Sequence, residues 1–301
     1  MDAAVFHEPR RRFIAIDSPA GGGELAALDF GPQERPIDIL FLHANGFNAL
    51  TYRSILSPLG AGMRVLAVDQ RGHGLSRLAA EPEGRRSWGD LAADAVALID
   101  ALDQAPMVLA GHSMGAVVAL LAAEQRPLAV KSLVLFEPVI LPPLAALIAR
   151  TPFAPAVFGR APIVKGALRR RRMFSDRMAA VTAYRGRGAF RTWPEGMLAD
   201  YVVGGLVDAP DGGVTLACAP EWEASNYAAQ GADVRGALAR TRMPIRIFGG
   251  TTGTTCHLGE GFTRRHPHVG LTQVDGASHF LPMERPGLVR DALIDAADDE
   301  L

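Results

Sequence analysis

Only two cysteines occur in 301 residues, Cys218 and Cys256, far apart and without the spacing of metal ligands. That excludes a disulfide framework and a cysteine zinc site, so both are expected as free thiols, with no metal and no cofactor implied. An excess of either charge is also missing. Lys plus Arg number 31 against 32 for Asp plus Glu, and the net charge of -1 gives the whole chain no field that would recruit nucleic acid or an anionic surface. Nowhere do ~18 apolar residues run together, which excludes a membrane span. Met1–Arg12 carries charges and no apolar run, so no signal peptide is expected and a cytoplasmic location is. The expected partner is a small molecule; the sequence carries no sign of oligomeric state.

What the chain does have is apolar content, 49% of its residues, enough for a large core, and a length that permits an inserted second element. Phe13–Ile16 and Glu24–Phe30 read as an edge hairpin turned by Gly21-Gly22-Gly23. Apolar runs recur at Ile37–Leu42, Arg64–Val68, Pro106–Ala110 and Lys131–Phe136, and again at Pro244–Phe248 and Val269–Val274, with helix-like stretches between. Continuous apolar strands alternating with helices imply an α/β fold with a mostly parallel central sheet covered on both faces. One helix is expected to start at Ser87 with Asp90 completing a capping box, and a closing helix near Pro286. From Ile140 to about Arg242 the alternation fails: prolines at 142, 143, 152, 155 and 162 and paired glycines indicate short helices and loops. We read residues 140–242 as an inserted helical cap, with 1–139 and 243–301 as the core. The basic run Arg169–Arg172 reads as a solvated helix face.

Gly111-His112-Ser113-Met114-Gly115 lies between the apolar Pro106–Ala110 and the alanine-rich Ala116–Gln125. A serine squeezed between strand and helix, with glycine two places either side, is the pattern of a nucleophile elbow. A serine hydroxyl needs a base to take its proton. Asp275-Gly276-Ala277-Ser278-His279-Phe280 follows the last strand and offers His279. On these residues the chain resembles the α/β-hydrolase superfamily from about Ile37 to Leu293, more loosely in its middle third. The resemblance implies the α/β-hydrolase fold, Ser113 as nucleophile and His279 as base.

In the commonest pattern of that superfamily an aspartate follows the strand equivalent to Pro244–Phe248. Here Gly249–Cys256 holds no carboxylate at all. Some members, certain haloalkane dehalogenases among them, take the acid from the end of the preceding core strand, and Leu133–Phe136 is followed by Glu137. Glu137 is therefore the expected acid, in the chain order nucleophile, acid, base, with Asp208, Asp211 and Glu260 as alternatives. The expected oxyanion hole is the backbone amide of Met114 together with that of Asn45 in His43-Ala44-Asn45-Gly46-Phe47-Asn48, where relatives have His-Gly-X; Phe47 is the alternative second donor. Asp69-Gln70-Arg71-Gly72-His73-Gly74 resembles a further superfamily signature and is expected to brace loops. Phe47, His112, Trp222 and Phe280 are candidates to line the substrate pocket, with Trp193 and Tyr227 as further aromatic candidates; His112 also suits packing.

These residues imply a serine hydrolase that cleaves a small, largely apolar ester, thioester or lactone through an acyl-enzyme on Ser113. Two alternatives use the same frame: hydrolysis of a carbon–carbon bond in a ring-cleavage product, and ligand binding without catalysis. Dehalogenase and epoxide hydrolase chemistry needs a carboxylate where this chain has Ser113.

Overall fold

A computed structural model describes residues 8–299. Of Met1–Arg12, in which no signal peptide is expected, residues 1–7 lie outside that range. The apolar runs become an eight-stranded sheet. The chain enters through the hairpin β1 (Arg10–Ile16) and β2 (Gly23–Phe30), then β3 (Ile39–Leu42), a short α1 (Arg53–Leu56) and β4 (Val65–Val68). Next come α2 (Gly89–Leu102), β5 (Met107–His112), α3 (Met114–Gln125) and β6 (Val130–Phe136). The chain then leaves the sheet through α4 (Pro143–Ala149), α5 (Ala154–Phe158), α6 (Pro162–Leu168), β7 (Met173–Phe174), α7 (Arg177–Tyr184), α8 (Glu195–Gly205), β8 (Leu206–Asp208), β9 (Val214–Leu216) and α9 (Pro220–Ala228). It finishes with α10 (Val234–Arg240), β10 (Ile245–Gly250), α11 (Glu260–Thr263), β11 (Val269–Val274), α12 (Leu281–Glu284) and α13 (Pro286–Asp298).

The strand order is β1-β2-β4-β3-β5-β6-β10-β11, parallel from β4 to β11, with β2 antiparallel to both its neighbours. Because successive side chains alternate across a strand, each central strand feeds two cores. Ile39, Phe41, Val108, Ala110, Val134 and Phe136 pack beneath α13 on one face, while Leu40, Leu42, Leu109, Leu133 and Leu135 pack on the other with α2 and α3. No described helix is long and apolar enough to cross a membrane.

Three local expectations are corrected. The capping box at Ser87 does not form: α2 starts at Gly89, and Arg85 takes both Asp90 oxygens at 2.7 and 2.8 Å. Within 140–242 the short helices are joined by a three-stranded antiparallel sheet, ordered β7-β9-β8, whose two- and three-residue strands are too brief to show a period. The basic run is not a helix face either. α6 ends at Leu168, and Arg170 turns inward to ion-pair with Glu223 and donate to the Tyr201 hydroxyl at 2.7 Å. At the far end of this segment α10 packs on α3, its Ala237 and Leu238 buried in the same cluster as Val117 and Leu120.

Candidate active site

The turn at Ser113 is forced by its neighbours. A Cβ on Gly111 would lie 2.5 Å from the carbonyl carbon of Gly115, and one on Gly115 would lie 2.3 Å from the Leu42 carbonyl oxygen. Only glycines let β5, α3 and the end of β3 approach this closely. Ser113 itself has φ 57 and ψ -116, a strained backbone for a side-chain-bearing residue. Its amide is fixed to the Phe136 carbonyl at 3.0 Å.

His279 arrives on the loop between β11 and α12, and the ring bridges two partners. Its Nε2 is 3.0 Å from Ser113 Oγ, and its Nδ1 is 3.2 Å from Glu137 Oε2. The residue's own carbonyl accepts from His112 Nε2 at 2.8 Å, so the loop is held from behind as well. Glu137 caps β6 with a left-handed φ of 47, and its amide donates to the Phe248 carbonyl at 2.7 Å. Burial alone would raise this carboxyl, but hydrogen bonds from His279, the Gly250 amide, the Thr254 hydroxyl and the Thr255 amide outweigh it and hold the group below the usual carboxylate range. The threonine-rich loop after β10, which lacks an acid, thus forms the cradle for the acid on the neighbouring strand: Thr254 Oγ1 lies 2.7 Å and Thr255 N 3.0 Å from its oxygens. Thr255 Oγ1 also stands 3.1 Å from His279 Nδ1.

The alternative acids are elsewhere. Asp208 is paired with Arg177 on the surface, Asp211 and Glu260 are exposed, and none of the three meets His279. Burial pushes the Cys218 thiol well above its ordinary value, and burial, with Glu137 adjacent, pushes Cys256 up to about 12, which disfavours the reactive thiolate in both.

The loop after β3 is held at many points. His73 Nε2 accepts from Gly46 N at 3.0 Å, Tyr52 Oη accepts from Ala44 N at 3.2 Å, and Asp69 Oδ1 accepts from Ala49 N at 2.8 Å. Phe47 N closes a turn onto the Ala44 carbonyl at 3.1 Å, which occupies the amide of the alternative donor. Among the described residues no acceptor engages the amides of Asn45 or Met114, and both residues line the cavity in front of Ser113. The Asn45 side chain is tied to α9, donating to the Glu223 carbonyl at 3.0 Å and accepting from Asn226 at 2.9 Å. Below the loop, Arg71 and Asp94 form a buried two-bond ion pair at 2.7 and 2.8 Å, a brace between the Asp69–Gly74 turn and α2.

That cavity has a volume of about 290 Å³ and an overwhelmingly apolar lining. Phe47, His112 and Phe280 all face it, and so does Tyr227. Trp222 does not. It is 2% exposed, donates its indole N–H to the Arg71 carbonyl at 2.9 Å and stacks under Arg85, so it is a packing residue between α9 and the Arg71 turn rather than a pocket wall. Trp193 likewise sits in an aromatic cluster with Phe190 and Tyr201 behind Phe47. Sequence reasoning missed Leu141, Phe158, Ile163 and Gln230, which enter the cavity from the segment after β6. Burial holds His112 down to about 3, with His279 nearby adding to the effect, so the ring is neutral: Nε2 donates to the His279 carbonyl and Nδ1 accepts from Tyr52 at 2.8 Å.

A sheet of this order, with a serine on a strained turn after its fifth strand, is the architecture of an α/β hydrolase. The alpha/beta hydrolase family model matches residues 39–292, and the chain belongs to that family, which places it among hydrolases. The 2-(acetamidomethylene)succinate hydrolase of Mesorhizobium japonicum is 35% identical over 99 residues, a match spanning 33% of this chain and 34% of that enzyme. The magnesium-chelatase 30 kDa subunit of Rhodobacter capsulatus is 26% identical over 277 residues, 87% of each chain. Among solved structures, E-2-(acetamidomethylene)succinate hydrolase superposes with a TM-score of 0.75 at 23% identity over 96% of this chain and 100% of that one. The peroxisomal hydrolase Lpx1 of Saccharomyces cerevisiae gives 0.77 at 19% identity over 99% and 91%. At these identities the two structures share the fold.

Proposed function

We propose that this protein is a serine hydrolase that cleaves a small, neutral, largely apolar ester, thioester or lactone through an acyl-enzyme on Ser113. The observation that carries this reading is the unbroken chain Ser113 Oγ, His279 Nε2, His279 Nδ1, Glu137 Oε2, with contacts of 3.0 and 3.2 Å. As Ser113 attacks, His279 takes its proton at Nε2, and Glu137 fixes the Nδ1–H tautomer and stabilises the imidazolium without accepting the proton. The free amides of Met114 and Asn45 receive the developing oxyanion, where one donor is worth ~3 kcal/mol. His279 returns the proton to the leaving group, and then activates water to release the acyl group.

The substrate's character follows from the lining. Among the described residues no Lys, Arg, Asp or Glu lines the cavity, so a carboxylate held wholly within it would lack an ionic partner and would be disfavoured. This favours a neutral acyl group over the dicarboxylate named for the 2-(acetamidomethylene)succinate hydrolases, and over ring-cleavage products that bear a carboxylate. The volume of about 290 Å³ stands at the lower edge of ligand pockets and supports a small substrate. We take the cover over the site to be residues 140–232 rather than 140–242, since α10 already packs on α3.

The deciding experiment combines a fluorophosphonate probe with a panel of p-nitrophenyl esters of graded acyl length, lactones and dicarboxylate monoesters. A single adduct on Ser113 and preference for neutral short or medium acyl groups is expected. Folded protein that stays unlabelled would favour the ligand-binding alternative, and a preference for anionic substrates would overturn the reading of the pocket.

A further inference from the structure

Between Glu137 and Asp176 there is no acidic residue. This stretch of the chain carries seven cations, Arg150, Arg160, Lys165 and Arg169 to Arg172, while the protein as a whole has a net charge of -1. The same stretch holds much of the apolar surface left in water. Leu144, Leu147 and Phe153 are between 65% and 74% exposed, and Val157, Ile163 and Leu168 are exposed as well. Leu144 and Leu147 are three apart on α4, and Phe153, at the N-cap of α5, stands four residues before Val157, so each pair shares a face. On α6, half-exposed Ile163 also lines the cavity before Ser113, beside Phe158 and Ala161. The apolar face therefore continues into the apolar site.

Three of the cations are neutralised by carboxylates from other segments: Arg150 by Asp233, Arg170 by Glu223 and Arg172 by Glu221. Arg160, Lys165, Arg169 and Arg171 are exposed, and among the described residues none of them has a carboxylate within ion-pair distance. An apolar patch of this kind marks an interaction surface. Its charge chooses the occupant. A second copy docking through the same face would set these cations against their own kind, whereas an anionic apolar surface satisfies both features at once.

We propose that α4 to α6 form a docking face for an anionic lipid surface, with the mouth of the cavity turned toward it. The inference stands apart from the reaction proposed above, because docking needs neither Ser113 nor His279. Side chains of this length on short helices reach the headgroup region and no further, and each cation near such a surface raises partitioning roughly fivefold.

The test is flotation of full-length Ser113→Ala protein with phosphatidylcholine vesicles, with and without phosphatidylglycerol, at low and high salt. Binding that requires phosphatidylglycerol, weakens with salt and falls roughly 100-fold in Arg160→Gln/Lys165→Gln/Arg169→Gln is expected. Leu144→Ser/Phe153→Ser/Val157→Ser should lose binding too, and both triple variants with Ser113 restored should keep wild-type turnover of a soluble ester. If the serine variant misfolds, the glutamine variant decides alone. Absence of binding, equal binding to neutral vesicles, or indifference to the glutamine substitutions would overturn the proposal. So would a dimer in sedimentation velocity that the Leu144→Ser/Phe153→Ser/Val157→Ser variant dissociates, since the occupant would then be a second copy.

Discussion

Replacing Glu137 by glutamine changes one atom's chemistry at a point where every position is taken. The carboxylate accepts from the Gly250 amide and Thr254 hydroxyl on one oxygen, and from the Thr255 amide and His279 Nδ1 on the other. Glutamine brings an NH2 that must face one of those donor pairs. If it faces His279, the imidazole is driven to the opposite tautomer, with its proton on Nε2 pointing at Ser113 and no acceptor left for the hydroxyl. If it faces Gly250, a buried N–H is stranded and the charge that stabilises the imidazolium is still gone. A wrong tautomer costs about four powers of ten in kcat, or ~5 kcal/mol, and the stranded donor ~1–3 kcal/mol of stability. The assay is single-substrate turnover of the best p-nitrophenyl ester by wild type, Glu137→Gln, Asp208→Asn and Glu260→Gln, with urea unfolding of each. Only Glu137→Gln should fall. A folded Glu137→Gln enzyme within tenfold of wild type, or a larger loss in either control, would refute the assignment. The pH sign is also fixed. Because Glu137 titrates below its ordinary range when folded, its stabilisation is present above the unfolded carboxylate pKa of ~4.3 and fades as pH falls through the lowered folded value. The stability gap between wild type and Glu137→Gln should therefore be constant at neutral pH and shrink in acid.

Ser113→Ala should lose ester turnover by several powers of ten and all fluorophosphonate labelling with an unchanged circular dichroism spectrum; near-normal turnover would exclude it as nucleophile. Burial holds His43, His73 and His112 below the ordinary histidine value, so the unfolded chain takes up protons that the folded one refuses as pH drops below ~6.5. Each should contribute up to ~1.4 kcal/mol of lost stability per pH unit until its folded pKa is reached, and urea unfolding at pH 7, 6 and 5 reads that slope directly. Gly115→Ala puts a methyl against the Leu42 carbonyl at 2.3 Å, and neither backbone can retreat; a loss of ~3 kcal/mol or more is expected by chemical denaturation, and wild-type stability would show that β3 and α3 can separate.

Much of the candidate site was legible because its spacing is dictated by the fold. The glycines around Ser113 mark a turn that only small residues allow, His279 follows the last strand, and the lack of any carboxylate from Gly249 to Cys256 directs attention to Glu137 at the end of β6. What that loop does instead could not be read, since nothing in a run of threonines says that its amides and hydroxyls face a neighbouring strand. Trp222 misled for a related reason: composition says an aromatic is present, and only packing tells whether its N–H meets a substrate or, as here, the Arg71 carbonyl. Arg170 inside a basic run is the same lesson for charge, for its partner Glu223 lies 53 positions away. The small sheet β7-β9-β8 was hidden by strands shorter than one full alternation.

The side chain of Asn45 is stapled to α9, and that of Asn48 reaches the Tyr201 carbonyl of α8 at 3.0 Å. Two helices of the segment after β6 are thereby bolted to the ledge that carries the Asn45 backbone N–H, the proposed second donor to the oxyanion. If that ledge holds the oxyanion as proposed, lifting this edge would tilt it, so molecules have to come and go without moving α8 or α9.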